Sequence, residues 1–255
     1  MKLYYEQRGS GPYLVLLHGL FGSQDNLAVI ARAAEADFTV ISMDLRNHGQ
    51  SPHADSMSYQ QMAADVLETL PADVEQFFLL GHSMGGKVAM QLALDKPERV
   101  QALVVADIAP VLYDSRHDGI IKAMQSVAID SIHQRAEADQ QLAQQIKEKG
   151  VRQFLLKNLQ KKDEQFIWRC NLPAIAACYS QVLAAPQSDS RYDKAVLFIK
   201  GHNSDYILPE HQQPIRQLFP KAQAKIIHGA GHWLHAEKPA AFTKLVLDFL
   251  HENSA

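Results

Sequence analysis

The chain has 255 residues, 47% hydrophobic and 21% charged, with a formal net charge of −3. That composition excludes a disordered chain and offers no electrostatic case for a nucleic acid or an anionic membrane surface as partner. The length suits a single α/β unit that buries roughly three quarters of its unfolded-chain surface without needing a disulfide or a metal.

The first residues, Met-Lys-Leu-Tyr-Tyr-Glu-Gln-Arg, carry charges and no apolar stretch, so they do not read as a signal peptide. No apolar run approaches the ~18 residues a membrane span needs. Two cysteines, Cys170 and Cys178, make no disulfide framework. These features together predict a reduced, cytoplasmic protein with no membrane insertion.

The first apolar run covers residues 14–17 and ends in His18-Gly19-Leu20-Phe21-Gly22-Ser23. The second covers 38–43 and leads into Asp44-Leu-Arg46-Asn-His-Gly49-Gln-Ser51. A helical pattern follows over 58–70. The third run, 77–80, passes straight into Gly81-His82-Ser83-Met84-Gly85-Gly86-Lys87 and a helix over 84–94. A fourth run at 102–106 ends at Asp107-Ile-Ala-Pro110. Two more runs lie at 196–199 and 224–227, with helical patterns over 209–219 and 239–251. Runs this short, rich in Val, Ile, Leu and Phe with little alternation, predict strands buried on both faces of a parallel sheet. Strand and helix alternating along the chain predicts an α/β fold with right-handed crossovers.

About ninety residues between 106 and 196 break the rhythm. They read as amphipathic helices: a mostly polar one over 131–149 stopped by Gly150, a face of Val151, Phe154, Leu155 and Leu159, and a face of Leu172, Ile175, Ala176, Tyr179 and Leu183. Pro186-Gln-Ser-Asp-Ser reads as the return linker. The expected organisation is a core of residues 1–110 and 187–255 with a helical cap inserted at 111–186.

Chemistry concentrates at G-x-S-x-G. A buried strand before it and a helix after it make residues 81–85 a nucleophile elbow. The tight turn holds Ser83 in a sparsely populated conformation costing ~1–3 kcal/mol and aims its hydroxyl outward. A serine needs a base, and the base needs an orienting carboxylate. Among twelve histidines, His232 follows a strand inside the glycine-bearing loop His228-Gly-Ala-Gly-His232-Trp-Leu-His235, at the strand end where α/β sheets place their sites. A metal site on His228, His232 and His235 is the competing reading. Gly229 and Gly231 argue against the helix that such spacing needs, and no acidic ligand is close by in sequence, so no metal is expected. For the acid, Asp107 and Asp205 both stand at C-terminal strand ends and both keep the chain order Ser…Asp…His. Acyl transfer also needs two N–H donors for the developing oxyanion. Met84 is expected to supply one, and Leu20 the other, with Phe21 as second choice.

These residues resemble the α/β-hydrolase superfamily over nearly the whole chain: His18-Gly19, the Asp44–Ser51 stretch, the elbow and Gly231-His232. The resemblance implies a mostly parallel central sheet flanked by helices with an inserted cap. It also implies cofactor-free hydrolysis of small-molecule esters or thioesters with short to medium acyl chains. Most of the superfamily carries its acid after the strand that here ends near residue 199, which points to Asp205. A subgroup of small bacterial esterases resembles the Asp107-Ile-Ala-Pro110 wording instead, together with Arg46-Asn-His-Gly49 and Gly231-His-Trp233, which favours Asp107.

Other residues have plainer expectations. Phe21 is expected to present an apolar wall to substrate, and Arg116 with His117 to line the entrance. Asp44 and Arg46 tie a strand end to a neighbouring loop, and His82 is structural. Lys87 faces solvent or a cap helix. Phe154, Trp168 and Tyr179 form cap core. The same triad also serves carbon–carbon bond hydrolysis, acyl transfer or a lyase step. A non-enzymatic ligand-binding protein is the less favoured alternative, since such proteins usually lose a triad member. The expected assembly is a monomer or small homo-oligomer.

Overall fold

The computed structural model describes residues 1–254. Its strands are β1 (Tyr5–Arg8), β2 (Tyr13–Leu17), β3 (Thr39–Met43), β4 (Phe77–His82), β5 (Val100–Ala106), β6 (Leu159–Lys162), β7 (Gln165–Trp168), β8 (Val196–Gly201) and β9 (Ala222–Ile227). Seven of them form one sheet in the order β1-β3-β2-β4-β5-β8-β9. All neighbours pair in parallel except β1, which runs antiparallel to β3.

Alternate residues of each inner strand feed two separate cores. Val15, Leu17, Leu79 and Val105 face one side, while Leu14, Leu16, Leu80 and Val104 face the other. Because both sides are apolar, the strands show no polar alternation, as the sequence predicts. On the second side α1 (Ala28–Ala34) contributes Ile30, Ala31 and Ala34. The first side is covered by α2 (Tyr59–Thr69), which Ser58 caps by accepting from Gln61 N–H, and by α3 (Met84–Asp95), buried at Met84–Leu94.

Between β5 and β8 come α4 (Asp118–Gln125), α5 (Arg135–Leu142), α6 (Lys149–Leu156), the hairpin β6–β7, α7 (Leu172–Ala177) and α8 (Tyr179–Leu183). Leu142, Leu155, Ile175 and Tyr179 from this segment join the core on the first side of the sheet. The chain closes with α9 (Gln212–Leu218), α10 (Leu234–Glu237) and α11 (Pro239–Glu252), whose Phe242, Val246, Phe249 and Leu250 pack on the second side. No helix is long and apolar enough to cross a membrane among the described residues.

The structure corrects the sequence reading in three places. The long segment is not all helical, since Leu159 opens a strand of the hairpin, where it is 1% exposed. Gly150 lies inside α6 rather than stopping a helix, and a side chain there would meet open space. β9 is the edge strand, exposed from Gln223 to Ile226, so it is not buried on both faces. Of the two places expected for Lys87, solvent or a helix of the inserted segment, it takes the second: it is 1% exposed, and its Nζ donates to the carbonyls of Leu183 (2.9 Å) and Ala184 (2.6 Å) at the end of α8.

Candidate active site

β4 hands over to α3 at Ser83, whose backbone sits at φ 52°, ψ −119°. Neighbouring glycines are required here by close approach. A Cβ at Gly81 would lie 2.1 Å from the Gly85 carbonyl oxygen, and one at Gly85 would lie 2.4 Å from the Leu17 and His18 oxygens. Ser83 N–H donates to the Ala106 carbonyl (3.0 Å), which ties the turn to β5. The hydroxyl is left at the carboxyl edge of the sheet, where crossover folds gather their sites.

His232 stands between Ser83 and Asp107. Its Nε2 lies 3.0 Å from Ser83 Oγ and its Nδ1 lies 2.7 Å from Asp107 Oδ2. A carboxylate at Nδ1 holds the ring proton there, so Nε2 is free to accept from the serine. Asp107 is fully buried and follows β5 at φ 53°, its N–H donating to the Ile199 carbonyl (2.8 Å). Its Oδ1 accepts from Gly201 N–H (2.9 Å), and the Ser204 hydroxyl donates to Oδ2. Two donors besides the imidazole therefore satisfy a charge that burial would otherwise penalise.

The structure brings Ser83, His232 and Asp107 together and leaves Asp205 apart. Asp205 is 69% exposed and pairs with Arg116 Nη1 at 2.6 Å. His82 supports the base from below, with Nε2 donating to the His232 carbonyl (2.9 Å). Burial first, then the neighbouring His235 and His232, push the His82 imidazole well below its ordinary value, so it stays neutral. Burial likewise lowers His235 to about 4. His228, by contrast, tilts against His202 at 5.0 Å. No group of three His, Cys, Asp or Glu side chains arranged to hold a metal occurs among the described residues.

The loop after β2 faces the elbow. Phe21 has φ 59°, and its N–H donates to His48 Nε2 (3.1 Å), so that N–H is committed and the second choice for an oxyanion donor falls away. Among the described residues no acceptor takes the N–H of Leu20 or Met84. His48 Nδ1–H donates to the Arg46 carbonyl (2.9 Å); His18 Nδ1–H donates to the Gly19 carbonyl (2.8 Å) while its Nε2 accepts from Leu45 N–H (3.0 Å). Both imidazoles are fully buried, and burial lowers His18 to about 4 and His48 to about 3.

A cavity of about 210 Å³ opens over Ser83, with Phe21, Phe154, Leu155, His232 and Trp233 in its wall. A smaller chamber of about 30 Å³ adjoins it beside Met84, bounded by Tyr59, Lys87, Tyr113 and Tyr179. Arg116 and His117 border both. Phe154 and Tyr179 therefore line open space rather than only core. Sequence reasoning missed Ser204, Tyr206, His48 and Asn158. Ser204 and Tyr206 flank an Asp it had already singled out, and His48 lies inside a motif it quoted. Asn158 carried no signal.

Comparison with known proteins gives the family. Residues 14–245 match a family described as the alpha/beta hydrolase family. The chain is 43% identical over 248 residues to the mouse sn-1-specific diacylglycerol lipase ABHD11, covering 94% of this chain and 81% of that protein. It is 40% identical to esterase YbfF of Escherichia coli over 248 residues, covering 96% and 95%. A solved marine microorganism esterase superposes with a TM-score of 0.95 at 39% identity, covering 97% of this chain and 99% of the other. The chain belongs to the alpha/beta hydrolase family and is a hydrolase enzyme with esterase and lipase relatives.

Proposed function

We propose that this chain hydrolyses carboxylic esters and thioesters with short to medium acyl chains, through an acyl-enzyme on Ser83. The observation that carries this reading is His232 within hydrogen-bond reach of both Ser83 Oγ (3.0 Å) and Asp107 Oδ2 (2.7 Å). Ser83 Oγ attacks the carbonyl carbon as His232 Nε2 takes its proton, and Asp107 stabilises the imidazolium that forms. The N–H groups of Leu20 and Met84 receive the oxyanion; each such donor is worth ~2.7–4 kcal/mol of barrier. His232 then protonates the departing alcohol or thiol, and water activated by His232 frees the acid.

Residues 111–186 act as a cap over a core of 1–110 and 187–255. Phe154 and Leu155 from the cap, with Phe21 and Arg116, bound the space the substrate takes. The two free, buried cysteines fit a cytoplasmic protein, and the proposed assembly is a monomer or small homo-oligomer. The test is turnover of p-nitrophenyl esters from acetate to palmitate by wild type and Ser83→Ala. Activity on the shorter esters that vanishes in the variant supports the reading. Absence of turnover by folded wild type, or its survival in Ser83→Ala, overturns it.

A further inference from the structure

The stretch from Asp44 to Gly49 is absorbed by none of the chemistry above, yet it bears on the loop after β2 at several points. Leu45 N–H donates to His18 Nε2 (3.0 Å), Phe21 N–H donates to His48 Nε2 (3.1 Å), and Gln24 N–H donates to Asp44 Oδ1 (2.7 Å). The rings of His18 and His48 meet edge to face, with centroids 5.2 Å apart. From the opposite side Asn158, 4% exposed in the turn between α6 and β6, donates its Nδ2 to the Phe21 carbonyl (2.7 Å). Phe21 is thus gripped at both its N–H and its carbonyl.

That grip matters because Phe21 is held at φ 59°, a region a bulky residue leaves unless its surroundings over-determine it. The Leu20 N–H sits one peptide further back, between Gly19 and Leu20, so a Phe21 that relaxes turns the Leu20–Phe21 peptide and frees the adjoining one to drift from its aim. We infer that His48 and Asn158 are positioning residues for the oxyanion site, holding the Phe21 backbone so that the Leu20 N–H points at the developing charge. This rests on the hydrolase reading above and on Leu20 as a donor. Because Asn158 belongs to the long inserted segment, contacts made there have a hydrogen-bonded route to the Phe21 backbone.

The experiment compares wild type, Asn158→Ala and His48→Gln for kcat and KM on one p-nitrophenyl ester. It also measures the inhibition constant of a trifluoromethyl ketone, which forms a tetrahedral oxyanion on an activated serine. Misaimed donors weaken the transition state more than the bound ester. In both variants kcat is expected to fall roughly ten- to hundredfold. KM should stay within about twofold, and the inhibition constant should rise in step with the loss of kcat. A melting curve establishes that each variant is folded, and Asn158→Ala alone decides if His48→Gln is not. Wild-type kcat in folded Asn158→Ala overturns the inference. So does a loss carried by KM with unchanged affinity for the ketone. Absence of ester turnover by wild type brings down the hydrolase reading itself, and this inference with it.

Discussion

Tyr206 lies flat against His232, with ring centroids 3.8 Å apart and planes 18° from parallel. The Tyr113 hydroxyl donates to the Tyr206 carbonyl, and the Arg116 guanidinium sits over the Tyr206 ring at 4.6 Å. The imidazole therefore has a solid wall on one face. Tyr206→Ala removes that wall and should lower kcat by about tenfold or more, since a misplacement of about an ångström in a catalytic group costs on that scale. Tyr206→Phe keeps the ring and should retain most of the activity. Steady-state kinetics on p-nitrophenyl acetate checks both, and equal losses in the two variants would sink the packing argument.

The two aspartates separate cleanly by substitution. Asp107→Asn keeps the shape but turns the partner of His232 Nδ1 into a group that stabilises the wrong tautomer, so kcat should drop by about 10⁴-fold. Asp205→Asn breaks an ion pair whose carboxylate is 69% exposed. Exposed pairs are worth ~0–1 kcal/mol, so activity should stay within about threefold of wild type. The reverse pattern would move the acid to Asp205.

Lys87 gives a pH signature of stability. Its amine is buried, has two carbonyl acceptors, and stands over the rings of Tyr113 (4.7 Å) and Tyr59 (5.6 Å). Burial pushes it down to about 7 from 10.5. Between those values the unfolded chain binds the proton more tightly than the folded one, so folded stability rises as pH rises from 7 towards 10. Lys87→Met lacks this linkage. Denaturant unfolding at pH 7 and pH 9 should show the difference between wild type and variant moving in favour of wild type by on the order of 2 kcal/mol. A constant difference would mean that the buried amine keeps its proton.

Gly85→Ala tests the elbow. The added methyl would lie 2.4 Å from two backbone oxygens that cannot swing aside, those of Leu17 and His18. The strand end and the elbow must part, so both melting temperature and activity should fall. Gly119→Ala, where a Cβ meets nothing within 4 Å, is the control and should leave both nearly unchanged.

Inner strands are legible in sequence because two apolar faces remove the alternation that would disguise them, as in Leu14-Val-Leu-Leu17. β1 is not, because Tyr5-Glu-Gln-Arg8 lies at the sheet edge and keeps polar residues. The hairpin β6–β7 escapes notice for a different reason. Its turn residues Asp163 and Glu164 take φ 47° and 67° without the glycine that usually marks such a turn, and only Leu159 is buried in β6. At the site, the elbow and the histidine loop declare Ser83 and His232 by local wording. The two aspartates occupy equivalent strand ends, so chain order cannot separate them. What separates them is the direction each takes: Asp107 turns inward beneath Gly201 and Ser204, and Asp205 turns outward to Arg116.

Tyr113 N–H donates to the Leu183 carbonyl at 3.1 Å, so the chain departs for the long excursion after β5 and comes back within one hydrogen bond of where it left. Lys87 and Gln91 on α3 fasten the returning strand of chain at Leu183, Ala184 and Gln187. To the sheet, some seventy residues present themselves as a tight turn. Changing their length adds only a slowly growing closure entropy. An exchange of this portion between relatives is therefore expected to leave the strands beneath in register, provided the incoming segment supplies the same core side chains and an amide in the place of Asn158.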